Sequence, residues 1–200
     1  MAGKRNQADR AEDFIAAAEA IILCERSVSF GLADVARELG VSRPLPYVYF
    51  DSAAQLVDEV FRRDLEYLSS IVARTGDGQQ PYVTRMQRLA VEYLAHLLDR
   101  GAISYLVLRE HGMDSPIGMK NGWIFARLVR QLADEMCSAL EMSPRAAMVV
   151  LELLAAIPED HARLVTAGRI SEKTARENTS RLVGAALDAL KIRQKPQPAD

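Results

Sequence analysis

Apolar residues recur along this chain at the three- and four-residue spacing of α-helices, and no stretch alternates at the period of two that a half-buried strand requires. Residues 9–25 place Phe14, Ile15, Ala18, Ile21 and Ile22 on one face, and residues 32–39 repeat the pattern in short form with Leu32, Val35, Ala36 and Leu39. A longer segment, 52–74, carries Val57, Val60, Phe61, Leu65, Leu68 and Val72; residues 82–98 carry Met86, Leu89, Ala90, Tyr93 and Leu97. A short helix after Gly101 and a longer one over 119–142, with Trp123, Leu128 and Leu132, follow. Polar or glycine-rich stretches at 75–81 and 112–118 separate them. The chain is expected to be all-α, with about nine helices.

The last two helices read differently. Ser143 and Pro144 stand as N-cap and first residue of a helix, and residues 146–157 hold a single charge, Glu152. Such a helix needs cover on more than one side, yet it is too short to cross a bilayer. Pro158 is expected to kink it. The final helix, 171–192, lines up Thr179, Leu182, Val183, Ala186, Leu187 and Leu190, with Gly184 and Ala185 small enough for close helix approach. Residues 193–200 are expected to be a disordered tail.

The segment 31–50, GLADVARELGVSRPLPYVYF, reads as two short helices hinged at Gly40, the form of a helix-turn-helix. Gly40 suits a left-handed exit, Val41 is expected to tuck back into the core, and Ser42 to cap the second helix. Phe30 and Val35 have the spacing of a hydrophobic staple around Gly31, and Ser52 to Gln55 is a capping box that opens the next helix. With Ser42 as N-cap, Pro44 falls at N2, where no bond is lost. Pro46 falls at N4, forfeits the first intrahelical bond, and predicts a 3₁₀ or delayed start.

The run ELGVSRPLPYVYFDSAAQL resembles the DNA-binding signature of the TetR family of bacterial transcriptional regulators, with Gly40, Val41, Ser42, Arg43, Tyr47, Tyr49, Phe50, Ser52 and Leu56 in register. The likeness covers about the first 70 residues; beyond them only the helical plan and the length agree. It implies a three-helix, N-terminal helix-turn-helix DNA-binding domain over 1–51, with the motif at 31–50. A helical ligand-binding and dimerisation domain over 52–192 would follow. The implied partners are double-stranded DNA bearing a palindromic operator, a second copy held through the last two helices, and a small, mostly apolar inducer that releases a repressor. Pro44 and Pro46 depart from the pattern, as do Ala53, where a phosphate-contacting lysine is common, and Gly31, where a capping threonine is usual.

Chemistry limits the roles at the reading end. Arg43 suits a phosphate or the O6 and N7 of guanine, Leu45 and Val48 suit a thymine methyl, and Tyr47 suits a phosphate or sugar. Ser42 and nearby free amides suit a phosphate at a helix start, with Pro44 beside them. Tyr49 is carried as a DNA contact but weighs more as core, as does Phe50. The basic residues Lys4, Arg5, Arg10, Arg26, Arg37 and Arg43 are offset by acidic ones such as Asp9, Glu12, Asp13, Glu25, Asp34 and Glu38, so a uniformly basic domain is excluded. Specific binding would rest on a few placed contacts, with Lys4, Arg5 and Arg10 a candidate basic arm.

A chain of 200 residues with formal net charge −2 suffices for a small head and a larger body, or for one compact helical fold. Cys24 and Cys137 sit in apolar helical patterns without a C-x-x-C pair, which predicts buried, reduced thiols. No apolar run reaches membrane-spanning length and no signal-peptide core is present, so a cytoplasmic protein is expected. On the helices that enclose the family's pocket, the ligand candidates are Met86, Tyr93, His96, Tyr105, Trp123, Met148 and Glu152. Phe125, Met119, Leu151, Glu110 and His111 lie alongside. The nucleophile elbow, P-loop, dinucleotide fingerprint and H-E-x-x-H motifs are missing, so no enzyme, cofactor or metal is expected. The alternative is a helical small-molecule-binding or protein-interaction module that has lost sequence-specific DNA binding.

Overall fold

The structure is a computed structural model and describes residues 7–76, 80–109 and 117–192. Eight α-helices are found there: α1 (Gln7–Glu25), α2 (Leu32–Glu38), α3 (Ala53–Thr75), α4 (Tyr82–Arg100), α5 (Ile103–Arg109), α6 (Met119–Leu140), α7 (Pro144–Thr166) and α8 (Glu172–Ile192). Among the described residues there is no strand, as the spacing of apolar positions predicts. The expected second helix of the hinge is a single 3₁₀ turn, Pro46–Val48. Lys4, Arg5, Glu110, His111 and the tail 193–200 lie outside the described residues.

The chain divides into two compact units, Met1–Tyr67 with Ala102–Ile124, and Leu68–Gly101 with Phe125–Asp200. Carboxylates on α3 hold α5 and the start of α6 within the first unit. Asp64 is 2% exposed, and its Oδ2 accepts the backbone N–H of Ser104 at 3.0 Å as well as the Ser104 hydroxyl. Asp58 Oδ1 accepts the N–H of Gly118 at 2.7 Å, and its backbone carbonyl accepts from Asn121 Nδ2 at 3.1 Å. The first amides of a helix have no partner within it, so these two side chains serve the starts of α5 and α6.

In the first unit, Phe14, Ile15, Ala18 and Ile22 of α1, Val35 and Ala36 of α2, and Leu56, Val57, Val60 and Phe61 of α3 are all buried. α2 packs on α1 and on the 3₁₀ turn, and α5 packs on α1. The capping box at α3 forms with a shift of one residue: Ser52 Oγ accepts from Gln55 N at 3.1 Å, while Gln55 Oε1 accepts from Asp51 N rather than from Ser52.

In the second unit, Met86, Met136, Leu140, Ala147, Leu154, Val183 and Leu187 form the buried centre. α4 lies against α7 and α8, which also pack on each other. Gly184 permits this, since a Cβ there would collide with the Gln87 amide, which donates to the Ser180 carbonyl at 2.9 Å. Ser143 caps α7 as expected, its hydroxyl oxygen accepting from Ala146 N at 3.3 Å. The apolar stripe of α8 splits: Thr179, Val183 and Leu187 are buried, whereas Leu182 is 51% exposed. Cys24 is exposed and Cys137 half-buried, which corrects the expectation of two buried thiols. Cys24 lies beyond the inward face set by Ile21 and Ile22, one residue before α1 ends.

Candidate nucleic-acid interface

The start of α2 is fixed by its own third residue. Asp34 Oδ2 accepts the N–H of Gly31 at 2.8 Å, and Oδ1 accepts from the Arg37 guanidinium at 2.7 Å. The amide of Gly31 first, and Arg37 second, hold the Asp34 carboxyl below its ordinary value of 3.8. The helix ends as a Schellman motif. Gly40, at φ +64°, donates to the carbonyl of Arg37 at 3.1 Å, and Val41 N donates to the carbonyl of Ala36 at 3.0 Å. Val41 does not tuck in; it is 36% exposed, because the bond from its amide turns the chain back while its side chain stays at the surface.

After Gly40 the two prolines decide the geometry. An α-helix capped by Ser42 needs an N–H at residue 46, which proline lacks. Instead Leu45 N donates to the Ser42 carbonyl at 3.0 Å, Val48 N to Leu45 at 3.1 Å, and Tyr49 N to Pro46 at 3.0 Å. Each is the tighter three-residue bond of a 3₁₀ turn. Leu45 becomes the cap and Pro46 the first residue, where its missing donor costs nothing. This corrects the placement of Ser42 as N-cap. It also removes the expected row of free amides, since Pro44 and Pro46 have none and Leu45 spends its own.

The turn has a clear inside and outside. Pro46 and Phe50 are buried, and Phe14 of α1 meets Tyr49 at a ring-centroid distance of 5.3 Å and Phe50 at 6.3 Å, edge-on. Tyr49 is thus tied to the core and Leu45 is half-buried. Outside stand Ser42, Arg43 and Pro44, with Tyr47 at 58% and Val48 at 68% exposure. Arg43, Tyr47 and Val48 form the outward set of a helix-turn-helix whose second helix has shrunk to one turn.

Solved structures match this arrangement along nearly its whole length. A TetR-like transcriptional regulator from Rhodococcus sp. RHA1 superposes with a TM-score of 0.68 at 18% identity, over 92% of this chain and 99% of its own. The fold is that of the TetR-like regulators. A TetR-family transcriptional regulator from Streptomyces coelicolor gives 0.60 at 20% identity over 95% and 85% of the two chains. A TetR variant from Acinetobacter baumannii AYE in complex with minocycline gives 0.56 at 16% identity over 95% and 96%. No family model matches the chain, and no curated protein matches it in sequence.

Within the TetR-like fold the ligand candidates fall in both units. Tyr105 and Trp123 belong to the first unit, where Tyr105 receives the Arg109 guanidinium at its hydroxyl and over its ring, and Trp123 is 69% exposed. In the second unit Met86 is core. Met148 and Glu152 lie on the exposed side of α7 with Val149 and Leu153, a face on which Leu153 is 64% exposed. Tyr93 and His96 do come together on α4, their rings stacked at 6.5 Å, with His96 buried. Tyr93 donates its hydroxyl to Glu159 Oε1 of α7 at 3.0 Å. Glu159 carries no sequence signal, since it stands 66 residues from its partner. Asp34 does: it lies three residues after Gly31, the spacing of a cap.

Proposed function

We propose that this protein is a DNA-binding transcriptional regulator that acts as a homodimer on a palindromic operator and is released by a small, mostly apolar ligand. The observation that carries the reading is the outward set Arg43, Tyr47 and Val48, held on and before a 3₁₀ turn that follows a Schellman-ended helix. Arg43 pairs a phosphate or a guanine edge, and Tyr47 reaches the backbone with its hydroxyl.

The dimer reading is supported by the exposed apolar side chains Met148, Val149 and Leu153 of α7 and Leu182 of α8. A two-fold dimer presents two such turns to successive major grooves, about 34 Å apart, hence a palindrome. For the ligand, Tyr93, His96 and Glu159 offer polar anchors in the second unit. Release follows when the ligand binds more tightly to the arrangement that does not fit DNA; the repressor sign is taken from the family resemblance. No residue is assigned catalysis.

The test is selection of genomic DNA fragments by the purified protein at near-physiological salt, beside Tyr47→Ala and Arg43→Ala. Enrichment of a palindrome that the variants fail to enrich supports the regulator. A folded dimer that enriches no motif supports the second reading, a ligand-binding module without an operator, which the shortened reading turn and Ala53 favour.

A further inference from the structure

The reading turn offers the groove unusually little that can hydrogen-bond. Of residues 41–49, Ser42, Arg43 and Tyr47 carry exposed polar groups, while Val41, Pro44 and Val48 present exposed apolar surface. Val48 is the most open of the large ones at 68%, and it is the last residue of the 3₁₀ turn. Burial of Pro46 and Phe50 and the contact of Tyr49 with Phe14 fix the inner side of the turn, so Val48 faces outward with Tyr47. A β-branched side chain is stiff at χ1, so little rotamer freedom remains to be lost when it meets a surface.

Major-groove edges differ in what they show to an apolar side chain. Guanine, adenine and cytosine present donors and acceptors, which a valine can only leave unpaired; thymine alone adds a methyl group. We propose that Val48 is a specificity-determining residue that reads the thymine methyl of one base pair in each half-site. The proposal rests on the DNA-binding reading above and deepens it. Arg43 and Tyr47 then set register on the backbone, and Val48 selects sequence by burying a methyl against a methyl. Placing a cytosine there removes the methyl and sets an amino donor against valine, so it is rejected twice over.

Replacing thymine by deoxyuridine removes only the methyl and keeps pairing and the O4 acceptor. Burial of one such group is worth about 0.8 kcal/mol, or about fourfold in affinity, and about fifteenfold when both half-sites of a symmetric duplex are changed. The probe is the duplex enriched from a random-sequence library by the full-length protein, resynthesised with deoxyuridine at each thymine pair in turn. One symmetric position is expected to lose about fifteenfold with the parent protein and to lose nothing further with Val48→Ala, whose helical content and dimer state match the parent. Substituting 5-methylcytosine for cytosine at that position recovers part of the loss for the parent and none for Val48→Ala. A duplex that binds tightly but shows no deoxyuridine effect, or the same effect with Val48→Ala, overturns the role of Val48 and leaves the regulator intact. Enrichment of no duplex at all overturns both.

Discussion

Asp64 of α3 holds Ser104 of α5 by two hydrogen bonds, one from the backbone amide and one from the hydroxyl, with both residues buried. A carboxylate so placed satisfies a helix start that has no partner of its own. Asp64→Ala leaves both donors of Ser104 without this acceptor and is expected to lower the unfolding free energy by about 2–4 kcal/mol. Urea unfolding followed by circular dichroism reads this as an earlier midpoint; an unchanged midpoint would show that the pair is replaceable by water.

Asp34 makes a prediction in pH. Its folded-state value lies below the ordinary one, so the stability it adds is present above the unfolded value of 3.8 and is lost as pH falls through the lower, folded value. The urea midpoint of Asp34→Asn should therefore lie below that of the parent at pH 6, with the gap closing on the acid side of 3.8. A gap that is constant from pH 6 to strong acid would contradict the hydrogen bond from Gly31.

Gly184 is a steric requirement. Gly184→Ala displaces the Gln87 side chain from the Ser180 carbonyl and should cost about 1 kcal/mol, whereas Gly184→Val also wedges α4 from α8 and should cost about 3 kcal/mol. Thermal unfolding of the two variants side by side tests the order. Equal losses would locate the effect in the Gln87–Ser180 hydrogen bond that both variants displace, and not in the approach of the two helices.

For the exposed face of α7, Leu153→Asp is expected to convert a dimer to a monomer at micromolar concentration with helical content unchanged, as sedimentation velocity would register. If the sedimentation coefficient does not change, the copies meet elsewhere or not at all.

What the sequence made legible was local. Helix stripes, the Gly40 exit, the Ser143 cap and the Ser52–Gln55 box depend on residues within one turn of each other, so spacing alone reveals them. The prolines were legible as trouble. Their outcome is a 3₁₀ turn in which the Leu45 amide bonds the Ser42 carbonyl and Pro46 and Phe50 are buried, and spacing alone does not reveal that packing. Asp58 and Asp64 look like ordinary surface charges of an amphipathic helix; their partners lie 60 and 40 residues on, where no periodicity reaches. Residue type and helix position alone do not separate the stacked Tyr93–His96 pair from an exposed Trp123.

Under the proposed DNA-reading role, the paired prolines of the turn bear on cost and tolerance. Each restricts the unfolded chain at its own φ and at the residue before it, so the turn gives up less freedom on ordering than a run of alanines would. A reading element ordered in advance loses little entropy on docking, and the heat-capacity change of association should be as small as the contact area alone requires. It also has little slack: with no spare turn of helix to slide or unwind, a half-site displaced by one base pair should fail outright instead of binding more weakly.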